Sequence, residues 1–227
     1  SLIAALVSLA IGLSVLLKER HKRLPLTLVG LATGISLWQL FDFLFMVTSR
    51  HFLYDLALVC LALVPPLAIA FFRQLLVEPR LGGQHHPLRL TWVFTFAAVC
   101  VLGYSILFQT VTHTLAFQIP FFAFIAGGGY RCVLDLWVHL QRTPKRAERT
   151  RLRYLMVGCF LVTTFSLTDM LPRFGFAWPA VGNIIVVGYL YFLSQTVLGH
   201  RLLDLHEMLG KMAVLVVLTL VMWAISG

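Results

Sequence analysis

Long apolar runs, each closed by a short polar cluster, dominate this chain. Against the roughly 20 apolar residues that cross a bilayer core, eight runs stand out: 1–17, 25–48, 53–77, 90–110, 115–140, 152–172, 179–199 and 208–226. They are dense in leucine and lack the strict alternation of barrel strands, so they predict helices. Pro65-Pro66 falls near the middle of the third run, and Pro120 early in the fifth. Gly127-Gly128-Gly129 follows in the fifth. In a membrane such residues mark kinks and close helix approaches, because small residues let backbones meet.

The connectors alternate in charge. The first reads Lys18-Glu19-Arg20-His21-Lys22-Arg23, the third holds Arg73, Arg80 and Arg89, and the fifth holds Arg142, Lys145, Arg146, Arg149, Arg151 and Arg153. The even connectors contain only Arg50, no cation, and Arg173. Basic loops stay in the cytoplasm, so Ser1 is expected outside. The seventh connector carries apolar residues at 202, 203, 205, 208 and 209, close to helical spacing. It predicts a short interfacial helix. Eight spans would return the C-terminus to the outside, so the expectation is that the natural chain continues past Gly227.

Composition agrees with lipid as solvent. Hydrophobic residues make up 59% of the 227 and charged residues 12%, where a soluble domain carries about a quarter. Mean hydropathy is +0.89. The net charge of +9 is distributed between runs rather than gathered in one patch, so no nucleic-acid partner is expected. Cys60, Cys100, Cys132 and Cys159 all lie in apolar runs without CxxC or CxxH spacing. They read as packing residues, not as a disulfide framework or a zinc site.

Ionisable groups inside membrane helices are candidates for function because they cost free energy there. One layer holds Trp38 and Asp42, with Gln39 beside them, then Tyr54, Asp55, Asp169, Arg173, Trp178 and Asn183. Trp38 and Asp42 are four apart and share a helix face, as do Asp169 and Arg173. Trp38, Asp42, Tyr54, Asp169, Arg173 and Asn183 are therefore candidate ligand-binding residues, with Asp42, Asp169 and Asn183 expected around an outward-opening pocket. The plainer alternative is interface aromatics and carboxylates that cap or pair locally. A second layer holds Arg131, Asp135 and His139, spaced four and four, as a candidate signal relay. Arg131 and Asp135 are expected to pair within their helix, to register a neighbouring helix, or to belong to a proton path.

Sharper chemistry fails on residue type. The lysines Lys18, Lys22, Lys145 and Lys211 all lie at connectors, so no retinal Schiff base is expected. His85-His86 and the pair His200 and His206 read as loop and amphipathic-face residues rather than metal ligands. No HExxH, GxSxG or P-loop occurs, and no cofactor or catalytic constellation is indicated.

Several stretches resemble the N-terminal seven-helix sensor region of bacterial membrane histidine kinases. They are the basic first connector followed by Gly34-Ile35-Ser36-Leu37-Trp38-Gln39-Leu40-Phe41-Asp42, the Leu63-Val64-Pro65-Pro66-Leu67 segment, Arg151-Leu152-Arg153-Tyr154-Leu155 with Asp169-Met170-Leu171-Pro172 beyond it, and His200-Arg201-Leu202-Leu203-Asp204-Leu205. The resemblance implies a multi-pass receptor of the bacterial inner membrane. It would bind a small or lipid-like ligand and signal to a cytoplasmic GAF, PAS or kinase module, without being an enzyme itself. The expected fold is an all-α polytopic membrane helix bundle with its N-terminus outside. Residues 1–199 form seven transmembrane helices, and residues 200–227 form a connector and an eighth apolar helix. Membrane lipids and a second copy of the chain are the other expected partners. A transporter or channel is the main rival and requires a polar path through the midplane. An intramembrane lipid-modifying enzyme using Asp135 and His139 is a further one.

Overall fold

The computed structural model describes residues 2–18, 23–76, 115–144, 146–169 and 181–197, with scattered helical positions between 92 and 103. The described elements are α1 (Leu2–Lys18), α2 (Arg23–Thr48), α3 (His51–Leu76), α4 (Leu115–Arg142), α5 (Arg146–Thr168) and α6 (Gly182–Val197). No strand occurs among the described residues. Most of the fourth run, the His85-His86 pair, Arg173, Trp178, the seventh connector and the eighth run lie outside the described residues.

Three helical stretches are long and apolar enough to cross a membrane: Leu24–Thr48, His51–Leu76 and Phe117–Arg142. Leu2–Leu17 and Gly182–Val197 are shorter apolar helices. Five of the predicted runs therefore appear as helices with ends shifted by a few residues. The sixth differs more. Its helix begins at Arg146, inside the basic connector, and ends at Thr168. Arginine and glutamate are good helix formers, so the helix extends past the apolar run that announced it.

Neighbouring helices in sequence are neighbours in space, from α1·α2 round to α5·α6, and α6 returns to pack on α1. The six described helices thus close a ring, with α2 also touching α6. The turn between α2 and α3 is two residues long. Ser49 adopts φ 54°, and its N–H bonds the Phe45 carbonyl at 2.8 Å. This is the left-handed cap that lets a helix end and the chain reverse at once.

The prolines and glycines act as a pair. Pro65 and Pro66 sit buried within α3. They cannot donate to the preceding turn, so α3 is locally loosened there. Gly128 lies against Pro65, where a Cβ would collide with the proline ring. At Gly129 a Cβ would stand 2.5 Å from the Thr163 methyl carbon of α5. Successive glycines thus let α4 press against α3 on one side and α5 on the other.

Apolar side chains fill two clusters. The larger joins Val15, Leu28, Phe71, Leu136, Leu155 and Leu193. The smaller gathers Trp38, Tyr54, Leu58 and Phe121, with Phe41, Phe45 and Phe117 against it. Outside, large apolar side chains such as Leu6, Phe52, Ile119, Trp137 and Phe160 remain exposed. Water would oppose such a surface, whereas hydrocarbon accepts it.

Candidate functional site

A group of buried polar side chains joins three helices. Ser8 on α1 donates to Gln39 Oε1 on α2 at 3.4 Å, and Gln39 Nε2 donates to Asn183 Oδ1 on α6 at 3.2 Å. Ser8 and Gln39 are fully buried. The Ser36 hydroxyl donates to the Ala5 carbonyl at 2.7 Å. Buried polar groups need partners, and here the amide of Gln39 bridges three helices.

Asp169 completes this network. It follows α5 directly, and its carboxylate accepts the N–H groups of Gly182 at 2.9 Å and Asn183 at 3.0 Å. These belong to the first turn of α6, whose N–H groups have no partner within the helix. A negative charge there also opposes the positive end of the helix dipole. Position 182 must be glycine for this contact, because a Cβ would stand 2.5 Å from Asp169 Oδ2 and 2.6 Å from the Phe165 carbonyl oxygen. Asp42 is partly buried and close enough to act electrostatically on Asp169. At its other end α6 is held by the opposite charge: Arg151 Nη2 donates to the Thr196 carbonyl at 3.1 Å.

Next to the network α2, α3, α4, α5 and α6 surround a cavity of about 110 Å³. Trp38, Ser166 and Val186 line its network end. Each is adjacent to, or about one turn from, Gln39, Asp169 or Asn183. Leu31, Phe72, Cys132, Cys159 and Leu193 line the far end. Charged side chains are absent from the described lining. Two lining hydroxyls are already engaged: Tyr189 donates to the Leu155 carbonyl at 2.9 Å, and Thr163 to the Cys159 carbonyl at 2.9 Å. Trp38 is 8% exposed, and its indole Nε1–H is buried without a hydrogen-bond partner.

Of the five candidate ligand-binding residues that the structure describes, Trp38 alone is in the lining. Asn183 and Asp169 lie in the adjoining network, where Asn183 Oδ1 accepts from Gln39 and Asp169 accepts two backbone N–H groups. Tyr54 is buried against Phe45, with ring centroids 5.2 Å apart. Arg173 lies outside the described residues. The second candidate layer is a different kind of feature. Arg131 Nη2 and Asp135 Oδ1 pair at 3.2 Å within α4, with 46% and 23% of their side chains exposed. His139, a turn further, is partly buried.

Sequence reasoning gave no role to Ser8 or Ser36, and it placed Gln39 beside Trp38 and Asp42 without the bridge its amide makes. Their signal was present: each is a neutral polar residue in the middle of an apolar run. Asp55, which the sequence places beside Tyr54 at the start of the third run, is 6% exposed, with one carboxylate oxygen lacking a partner. Among the described residues no three His, Cys, Asp or Glu side chains gather as metal ligands would. Compared with protein-family models, curated proteins and solved structures, the chain matches none.

Proposed function

We propose that this chain is the transmembrane sensing region of a bacterial receptor of the histidine-kinase type. It spans the membrane seven or eight times with Ser1 outside. It takes a small or lipid-like ligand into the cavity among α2–α6 and relays the change to a cytoplasmic output module. The observation that carries this reading is the cavity itself. A void of about 110 Å³ in a membrane bundle forfeits packing contacts, and a ligand with different affinity for two helix arrangements would shift the balance between them. The alternating basic connectors support the orientation.

A transporter would need a polar route across the bundle, and the cavity's described lining is almost wholly apolar. Reconstitution in proteoliposomes tests the choice. Spin labels on α4 and α6 should report a ligand-dependent distance change while solute flux stays at background. Flux that rises with the chain and falls when the cavity is filled by Val162→Phe would overturn the sensor reading.

A further inference from the structure

The cavity is a slot among α2–α6, and its size and its surface both limit what it can hold. Its volume is about 110 Å³. At the packing density of a protein interior, about 0.74, that is room for about 80 Å³ of molecule, close to a single benzene ring. An apolar cavity of roughly 150 Å³ in another protein stays dry and takes up benzene or xenon. Drug-sized pockets start at roughly 300 Å³, and a lipid acyl chain is likewise too large for the slot.

The surface is as restrictive as the volume. Leu31, Leu61, Phe72, Ile125, Val162 and Leu190 give an apolar wall from each of the five helices. The Tyr189 and Thr163 hydroxyls already donate to the Leu155 and Cys159 carbonyls, and no charged side chain is in the described lining. An ion or a strongly polar molecule would lose its hydration there without replacement. An apolar molecule instead restores the dispersion contacts that the void forfeits. Such molecules also leave water for hydrocarbon, so a bilayer would concentrate them around the bundle.

We propose that the slot binds one compact, uncharged, hydrocarbon-like molecule of about five to seven heavy atoms, held by shape and dispersion alone. The inference rests on the reading of the cavity as the ligand site, and it narrows that reading to a size and a polarity.

The test uses the purified chain in lipid nanodiscs and its thermal unfolding with benzene, biphenyl or phenol at matched membrane mole fractions. Biphenyl keeps the apolar character and doubles the size, whereas phenol keeps the size and adds a hydroxyl. A ligand that binds only the folded chain raises the midpoint. Val162→Phe and Ala68→Leu each fill the slot from a different helix, so either one identifies the part of a shift that comes from the slot. The expected result is a slot-dependent rise of about 3–5 °C with benzene tenfold above its half-saturating level, and no slot-dependent rise with biphenyl or phenol.

A slot-dependent shift with biphenyl equal to that with benzene would overturn the compact size. An equal shift with phenol would overturn the apolar requirement. In both cases the cavity would remain a ligand site. If no compound gives a slot-dependent shift, the proposal fails, and the sensor reading loses its main support. Benzene bound in the slot without a change in the distance between spin labels on α4 and α6 would uphold the ligand class and remove the sensor reading instead. The ranking of the three compounds in the unmodified chain needs no variant, so it decides the matter even if neither substituted chain assembles.

Discussion

The polar network and the slot lie side by side in one bundle, and they differ in how completely their groups are matched. In the network Gln39 bonds to two helices, and Asp169 accepts two N–H groups from α6. In the adjoining cavity, the slot among α2–α6, the lining is almost wholly apolar and space remains. A matched buried network specifies one arrangement, because shifting a member leaves the others unpaired. An apolar void specifies little and tolerates repacking. The difference teaches that the polar residues with the strongest look of a binding site are bonded here to protein, and that the open space lies next to them.

This contrast breaks most sharply at Asp169. Asp169→Ala removes both acceptors from the first turn of α6 and should lower stability by about 2–3 kcal/mol. Asp169→Asn, which keeps one carbonyl, should lose about half as much. Reversible unfolding in mixed micelles checks this. A loss below about 0.5 kcal/mol for Asp169→Ala would mean that α6 is held elsewhere.

The slot predicts the opposite sign. Val162→Phe adds contacts where the bundle has a void and should raise stability by about 0.5–2 kcal/mol, while abolishing the ligand response. A destabilised variant would show that the walls do not yield to the added ring. Opposite signs for Asp169→Ala and Val162→Phe in the same assay are the simplest demonstration that network and slot have different roles.

The smallest effect is expected at Arg131 and Asp135. A double-mutant cycle with Arg131→Gln and Asp135→Asn should give a coupling of about 0.5 kcal/mol if the pair acts only within α4. A coupling several times larger would mean that a neighbouring helix or a second copy shares the pair, which is what a relay requires.

Helices α1, α2, α3, α4 and α6 were legible in the sequence because hydrophobicity alone marks them. The N-terminal extension of α5 to Arg146 was not, since apolar runs say nothing about charged turns that continue a helix. The i,i+4 pairing of Arg131 with Asp135 is set by helical spacing, and it was legible for that reason. Trp38 was legible as a candidate, but its role depends on α3, α4, α5 and α6 arriving around it. Asp169 also has its partner fixed by tertiary structure: spacing pointed to Arg173 four residues on, while the described contacts are backbone N–H groups 13 and 14 residues away. Sequence spacing shows what a helix can pair with itself, and it is silent on what a closing ring brings across.

The central claim is that the apolar cavity among α2–α6 admits a ligand while the network beside it stays intact. Anomalous scattering from crystals grown in lipid and pressurised with xenon, which suits a small apolar cavity, tests it directly. The account predicts xenon density within the cavity, with the Gln39–Asn183 and Asp169–Gly182 bonds unchanged. Xenon found only on the outer surface of the bundle, or bound in the cavity with those bonds broken, would contradict it.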